Sequence, residues 1–209
     1  MKDGFIRVAA ATPKLKIADC GYNADQIVEQ IKAAADKQVK VCVFPELCIT
    51  GYTCGDLFLQ ELLLTESEKA LAHILEETKD VDMVLVLGMP LMVCNSLYNV
   101  AVFAKSGQIC MVIPKRNIPN YQEFYEARHF SQGLEEPVAI TLAGRKTMFG
   151  TRQIMVCDNI PELRIAGEIC EDLWVPDSPA MHHAMAGATL ICNPSASDEL
   201  ATKAAYRRN

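Results

Sequence analysis

The sequence has no apolar run long enough to cross a bilayer. Its most hydrophobic stretch, Met83 to Cys94 (MVLVLGMPLMVC), is interrupted by Gly88 and Pro90 and falls well short of the about 20 residues a spanning helix needs. Positive charge is not in surplus either: 20 Lys and Arg stand against 26 Asp and Glu, a net charge of −6, which excludes a general surface for nucleic acid or an anionic membrane. The stretch from Met1 to Lys16 carries Lys2, Asp3, Arg7, Lys14 and Lys16 without a long apolar core, so no secretory signal is read there and a cytoplasmic protein is expected. C-x-x-C and H-x-x-x-H spacings are absent, and Cys42, Cys48 and Cys54 stand six apart, so no metal site is assigned. No G-x-x-x-x-G-K phosphate loop occurs. Linkers, internal repeats and low-complexity segments are also missing.

What is present is a chain of 209 residues, half of them hydrophobic and 22% charged, the composition of a soluble globular protein. Nine cysteines, an odd number in a chain without a secretory signal, argue against a disulfide framework and for small core residues. Hydrophobic periodicity alternates strand with helix. FIRVAAAT (5–12) reads as a buried strand, 24–37 as an amphipathic helix after a turn at Gly21-Tyr22-Asn23, and VKVCVF (39–44) as a second strand. A helix within about 56–79 is expected to turn Leu57, Phe58, Leu62, Leu71, Ile74 and Leu75 to the core, and VDMVLVLG (81–88) is a third strand. LYNVAVFA and QICMVIP flank Lys105-Ser106-Gly107 as an antiparallel hairpin. Lys115 to Gly133 reads as a long ordered loop, of the kind that tends to be functional. PVAITLAG, RQIMVCD and LRIAGEIC are three further strands, followed by a helix at 178–187, a strand at 188–193 and a helix starting near Ser197-Asp198. Parallel βα units mixed with hairpins predict one α/β domain over 1–209, with a mixed sheet covered by helices or two such sheets packed together.

Three strand ends resemble one another. VFPE leaves Glu46 beyond the second strand, VIPK leaves Lys115 beyond the hairpin, and GEIC leaves Cys170 at the end of its strand. Open α/β sheets place their chemistry outside the carboxyl ends of strands. Cys170 is followed by Glu171 and Asp172, which disfavour a resting thiolate. A positioned carboxylate can instead remove the thiol proton during attack, while a lysine stabilises the developing oxyanion. Taken singly, each residue has a plainer reading: Glu46 as a surface carboxylate, Lys115 as a solvated loop residue, Cys170 as core. His129 offers a rival Cys–His dyad but reads better as a packing or hydrogen-bonding residue. His182-His183 is expected on a solvated helix, and Trp174 as a packing anchor near the site.

FPELCITGY (44–52), PKRNIPNYQEFYEARHF (114–130) and GEICEDLW (167–174) resemble the Glu, Lys and Cys motifs of the nitrilase superfamily of carbon–nitrogen hydrolases. EICEDLW, NYQEFYEARHF and NPSASDE (193–199) are similar to its glutamine-hydrolysing branch, the N-terminal glutaminase domains of NAD synthetases. The resemblance implies a four-layer α-β-β-α sandwich, truncated at its C-terminus, since the chain ends at AAYRRN in mid-helix. It implies Glu46 as general base, Lys115 as oxyanion-stabilising cation and Cys170 as nucleophile, with glutamine contacts from Tyr121, Ser197 and Lys203. Arginine is more usual at position 203, and a lysine there cannot form the same bidentate clamp on a carboxylate. Glu126 matches a further carboxylate that orients the site. The expected partners are L-glutamine, a synthetase domain that receives the ammonia, and further copies of the chain, with neither nucleic acid nor membrane. No cofactor is expected in this domain; ATP and Mg²⁺ belong to the synthetase domain, which is absent. The alternatives are a stand-alone amidase of the same superfamily acting on another amide, and an inactive fragment.

Overall fold

The computed structural model describes residues 5–206 and 208. A seven-stranded mixed sheet runs in the order β1-β2-β3-β4-β5-β7-β6, and a separate three-stranded sheet in the order β10-β9-β8. In the large sheet β1 (Val8–Ala10), β2 (Val41–Val43) and β3 (Val84–Val93) are parallel. Strands β4 (Ser96–Lys105) and β5 (Gln108–Pro114) continue it as an antiparallel meander, and the β6 (Val138–Leu142) and β7 (Arg145–Phe149) hairpin closes it. In the small sheet β9 (Ile160–Gly167) pairs antiparallel with β8 (Met155–Cys157) and parallel with β10 (Leu190–Cys192).

Two cores give four layers. Helices α1 (Cys20–Asp36) and α2 (Glu61–Glu77) bury Ile27, Ile31, Leu71, Ile74 and Leu75 against Leu85, Leu87, Val100 and Val102 of the large sheet. The alternate residues Val84, Val86, Ala101 and Phe103 face Ile165, Ile169 and Cys192 of the small sheet. A helix α3 (Pro179–Met185) packs on the outer side of β9. Strands covered on both faces have no polar side, which is why β3 and β4 read as largely apolar runs. The architecture is the α-β-β-α sandwich that the motifs imply.

Several boundaries differ from expectation for identifiable reasons. Asp19 caps α1 by accepting the Tyr22 N–H at 3.1 Å, so Gly21 to Asn23 lie inside the helix and form no turn. The expected single helix over 56–79 breaks at Gln60 into a 3₁₀ turn (Gly55–Leu59) and α2. The break rotates the helix, so Leu63 is buried, while Leu57 is 39% and Leu62 69% exposed. Strand β3 continues past Gly88 to Val93 and turns into β4 through Cys94 and Asn95, both with positive φ, as tight hairpins require. The polar strand β7 went unrecognised; it returns from β6 through Ala143 and Gly144, again both with positive φ. The final helix α4 is four residues long, Lys203–Tyr206, and does not start near Ser197.

Candidate active site

Glu46 lies just past β2, where Pro45 ends the strand and Leu47 adopts a positive φ of 53°. Two contacts hold this turn. Gly88 of β3 passes so close beneath it that a Cβ there would stand 2.3 Å from the Leu47 nitrogen and 2.8 Å from the Glu46 carbonyl carbon. From the other side the buried Asn23 side chain donates to the carbonyl of Ile49 at 3.0 Å. The Glu46 carboxylate then receives three donors: Lys115 Nζ and Asn99 Nδ2, each 2.7 Å from Oε1, and the Ala196 N–H, 3.0 Å from Oε2.

Lys115 follows Pro114, the last residue of β5, and its backbone is held on both sides. Its N–H donates to Asn99 O at 2.8 Å and its carbonyl accepts from the Gly133 N–H at 2.9 Å. The side chain is fully buried and donates to Glu46 and, at 2.6 Å, to Glu126 Oε1. An ammonium has three hydrogens. Two are used here, leaving one for a reacting group. Burial opposes the charge on Lys115, but Glu46 and Glu126 outweigh it and hold the ammonium above the ordinary lysine value. Glu126 is pushed up by its own burial and by Glu46, while Lys115 and the Tyr52 hydroxyl, 2.7 Å away, oppose the rise.

Cys170 does not end a strand. Strand β9 stops at Gly167, and Cys170 opens a 3₁₀ turn (Cys170–Leu173) with a left-handed φ of 47°, a costly conformation for a residue with a Cβ. Its N–H is anchored to Pro194 O at 3.0 Å and Asn193 Oδ1 at 3.1 Å. Asn193 in turn donates to the buried Glu168 at 3.2 Å. The thiol is pushed up to about 11, first by burial and then by the Glu46 charge, against the pull of Lys115, the Ser195 side chain and the Ala196 N–H. Cys170 therefore rests as a neutral thiol in the electrostatic reach of both Glu46 and Lys115. Glu46, Lys115 and Cys170, expected from three separate strand ends, converge on one site.

Of the expected ligand contacts, Tyr121 lies within electrostatic reach of Cys170. Tyr121 is half exposed and its hydroxyl donates to the Glu171 carboxylate at 2.9 Å; burial and this carboxylate push the phenol up to about 12. Tyr121 and Glu171 line a cavity of about 520 Å³ with Asn117, Ile118, Phe130 and Val175. Ser197 follows Ala196, whose N–H reaches Glu46. Lys203 stands in α4 and pairs with Asp198, and the neighbouring Tyr206 stacks on Trp174 at 5.0 Å. Trp174 is 39% exposed, and this stack is with another exposed ring. His129 bonds Asp56 at 3.0 Å and packs near Phe58, and it joins no dyad with Cys170. His183 corrects the expectation of a solvated pair: it is 4% exposed, on the buried face of α3, although His182 is open.

Sequence reading missed Tyr52, Asn99, Asp172 and the Ala196 N–H. Asn99 lies outside the family motifs; Tyr52, Asp172 and Ala196 lie inside them, but their roles are identified only by the partners they meet in space. Among the described residues no cluster of His, Cys, Asp and Glu could hold a metal, and no helix is long and apolar enough to cross a membrane.

The chain is 38% identical over 205 residues to a glutamine-dependent NAD(+) synthetase of Mycobacterium tuberculosis, a match that covers 98% of this chain and 30% of the relative. The crystal structure of a glutamine-dependent NAD(+) synthetase from Cytophaga hutchinsonii superposes with a TM-score of 0.85 at 29% identity, over 97% of this chain and 32% of that one. An amidase from Nesterenkonia sp. shares the fold, with a TM-score of 0.74 at 19% identity, over 98% of this chain and 70% of the amidase. The chain thus spans about a third of the length of the synthetases it matches. The carbon–nitrogen hydrolase family model matches residues 7–207, a span that contains Glu46, Lys115 and Cys170 together with every group bonded to them, and the chain belongs to that family.

Proposed function

We propose that this chain is the glutaminase domain of a glutamine-dependent NAD synthetase and hydrolyses the side-chain amide of L-glutamine. The observation that carries the chemistry is the buried Lys115 ammonium, shared between Glu46 and Glu126 and facing the Cys170 thiol. The glutamine assignment is supported by chain-wide similarity to synthetases described as glutamine-dependent.

Cys170 Sγ attacks the amide carbon as Glu46 takes the thiol proton, so no free thiolate need accumulate. The carbonyl oxygen becomes an oxyanion that accepts the remaining Lys115 hydrogen. Glu46 returns the proton to the departing nitrogen, the C–N bond breaks, and ammonia leaves a γ-glutamyl thioester on Cys170. Water, deprotonated by Glu46, then attacks the thioester, the C–S bond breaks, and glutamate and the thiol are regenerated. Glu126 keeps Lys115 charged and oriented throughout. Tyr121 and Ser197 contact the substrate, and ammonia passes to the part of the synthetase that this chain does not span. ATP and Mg²⁺ are used there, in a homo-oligomer.

One observation favours a second reading. The Lys203 ammonium is bonded to Asp198 and so is partly committed before any substrate carboxylate arrives. An amidase for smaller, uncharged amides would need no such contact. Ammonia release from L-glutamine and from a panel of small amides separates the two. We expect glutamine to be preferred, Cys170→Ala to abolish release, and a glutamine-like electrophile to add one equivalent of mass at Cys170. Equal or faster turnover of uncharged amides would assign the chain to the amidases, and release that survives Cys170→Ala would remove the thioester route.

A further inference from the structure

Cys170 and Lys115 belong to different sheets, and chemistry between them requires a fixed separation. Lys115 is tied through its backbone to Asn99 and Gly133 at the end of β5 in the large sheet, Cys170 to Pro194 and Asn193 beyond β10 of the small one. Asp172 touches both. One carboxylate oxygen, Oδ1, accepts the Asn117 N–H at 2.7 Å and Asn117 Nδ2 at 2.9 Å. The other, Oδ2, accepts the Arg116 N–H at 3.2 Å and the Ile169 N–H at 3.0 Å. The first three donors come from the two residues after Lys115, and the fourth from the residue before Cys170. Asp172 is 1% exposed. Burying a carboxylate is costly unless its hydrogen bonds are satisfied, and here burial pushes the carboxyl up while these four donors pull it down. Asparagine has the same size but fits less well: whichever way the amide is turned, its NH₂ meets at least one backbone N–H, that of Asn117 or those of Arg116 and Ile169.

We propose that Asp172 is a positioning residue, which sets the distance between the Cys170 thiol and the Lys115 ammonium by clamping the backbone just after Lys115 to the backbone just before Cys170. The proposal rests on the reading of Cys170 and Lys115 as the reacting pair. Because misplacement by about 1 Å can cost about 100-fold in rate, a clamp of this kind belongs to the chemistry as much as to the fold.

The test uses a property whose sign differs between the roles. The groups facing the Cys170 thiol are Glu46, Lys115, Tyr52, Tyr121, the Ser195 hydroxyl and the Ala196 N–H, with Glu171 next in the chain. Asp172→Asn removes a negative charge. If Asp172 acted only through its charge, the thiol would ionise more easily and iodoacetamide would alkylate Cys170 faster. If Asp172 positions Lys115, the thiol loses its cation and alkylation slows. We expect alkylation at pH 8, followed by peptide mass mapping, to slow about 10-fold, as for a thiol raised by about one pH unit. We also expect kcat for amide hydrolysis to fall about 100-fold with KM changed less than about threefold. Equal or faster alkylation in a folded D172N protein overturns the proposal. Should D172N fail to fold by circular dichroism, Asn117→Ala, which removes one of the four donors, decides instead: about threefold slower alkylation supports the clamp, and an unchanged or higher rate overturns it. Alkylation does not depend on glutamine, so a chain that ignores glutamine yet shows the slowing would refute the substrate assignment alone.

Discussion

Lys115 carries its charge with no part of the side chain exposed, and two carboxylates share it. Removing one member of a buried ionic cluster costs about 3–5 kcal/mol, because the partners are left charged without compensation. Lys115→Met, which keeps the volume, should therefore abolish turnover and destabilise the fold by about that amount near neutral pH. The deficit should shrink on acidification, because Glu126, already pushed up by its burial and by the Glu46 charge, takes up a proton more readily once its cation is gone, and the repulsion between the two carboxylates falls. Urea denaturation of both proteins at pH 7.5 and pH 5.5 checks this; a deficit that is the same at both would mean that the carboxylates are better screened than their burial indicates. The residue scale is also where the sequence was most legible. Glu46, Lys115 and Cys170 follow strand ends or nearly so, and strand ends can be read from apolar runs and prolines. Asn99 could not be found that way, because nothing in its own neighbourhood in the chain distinguishes it from a core residue, while Tyr52 and Asp172 lie inside the Glu and Cys motifs but have partners, Glu126 and Asn117, far along the chain.

At the scale of elements, the site depends on how closely β3 passes beneath the Glu46 turn. A methyl group at Gly88 would lie 2.3 Å from one backbone atom of that turn and 2.7 Å from another, the Pro45 carbonyl oxygen, and neither can rotate away. Gly88→Ala should push the turn outward and take Glu46 off Lys115. We expect a loss of about 1–3 kcal/mol in stability, typical of overpacking, and a fall in kcat out of proportion to it, about 10-fold or more. Melting temperature and ammonia release measured on one preparation test the pair; an active, stable G88A protein would show that the turn is not rigid. Elements that bury both faces, such as β3 and β4, were found as apolar runs without difficulty. What escaped were the turns. Cys94-Asn95 and Ala143-Gly144 lack the Asn-Gly or Asp-Gly pair that marks a tight hairpin, and β7, with Arg145, Lys146 and Thr147, lacks an apolar face along its first half. The break at Gln60 was hidden because the apolar residues on either side of it continue a helical spacing.

For the whole molecule, the buried cysteines set an alkaline limit. Burial pushes Cys42 and Cys170 up to about 11 and Cys20, Cys48 and Cys192 up to about 12, against an ordinary thiol value of 9.0. A thiol that ionises more readily unfolded than folded releases its proton on unfolding, so stability falls as pH rises from the unfolded value toward the folded one. Each such thiol contributes up to about 1.4 kcal/mol per pH unit in that window. The melting temperature, measured with reductant present, should be level near pH 7 and drop steadily between pH 9 and about 11. A level profile through that range would show that these thiols are not held in a dry core. The bonds around Glu46 have a different consequence, one of timing. Lys115 lies 69 positions along the chain from Glu46, Asn99 53, and Ala196 150. Contacts of such separation form late in folding, since a long loop must close before any of them is gained. A ribosome delivers Glu46 and its strand early, yet the carboxylate stays without its full set of partners until Ala196 has been made and docked. The growing chain thus carries the carboxylate of the base long before its thiol exists, and the site is completed only when Ala196 closes the longest of these loops.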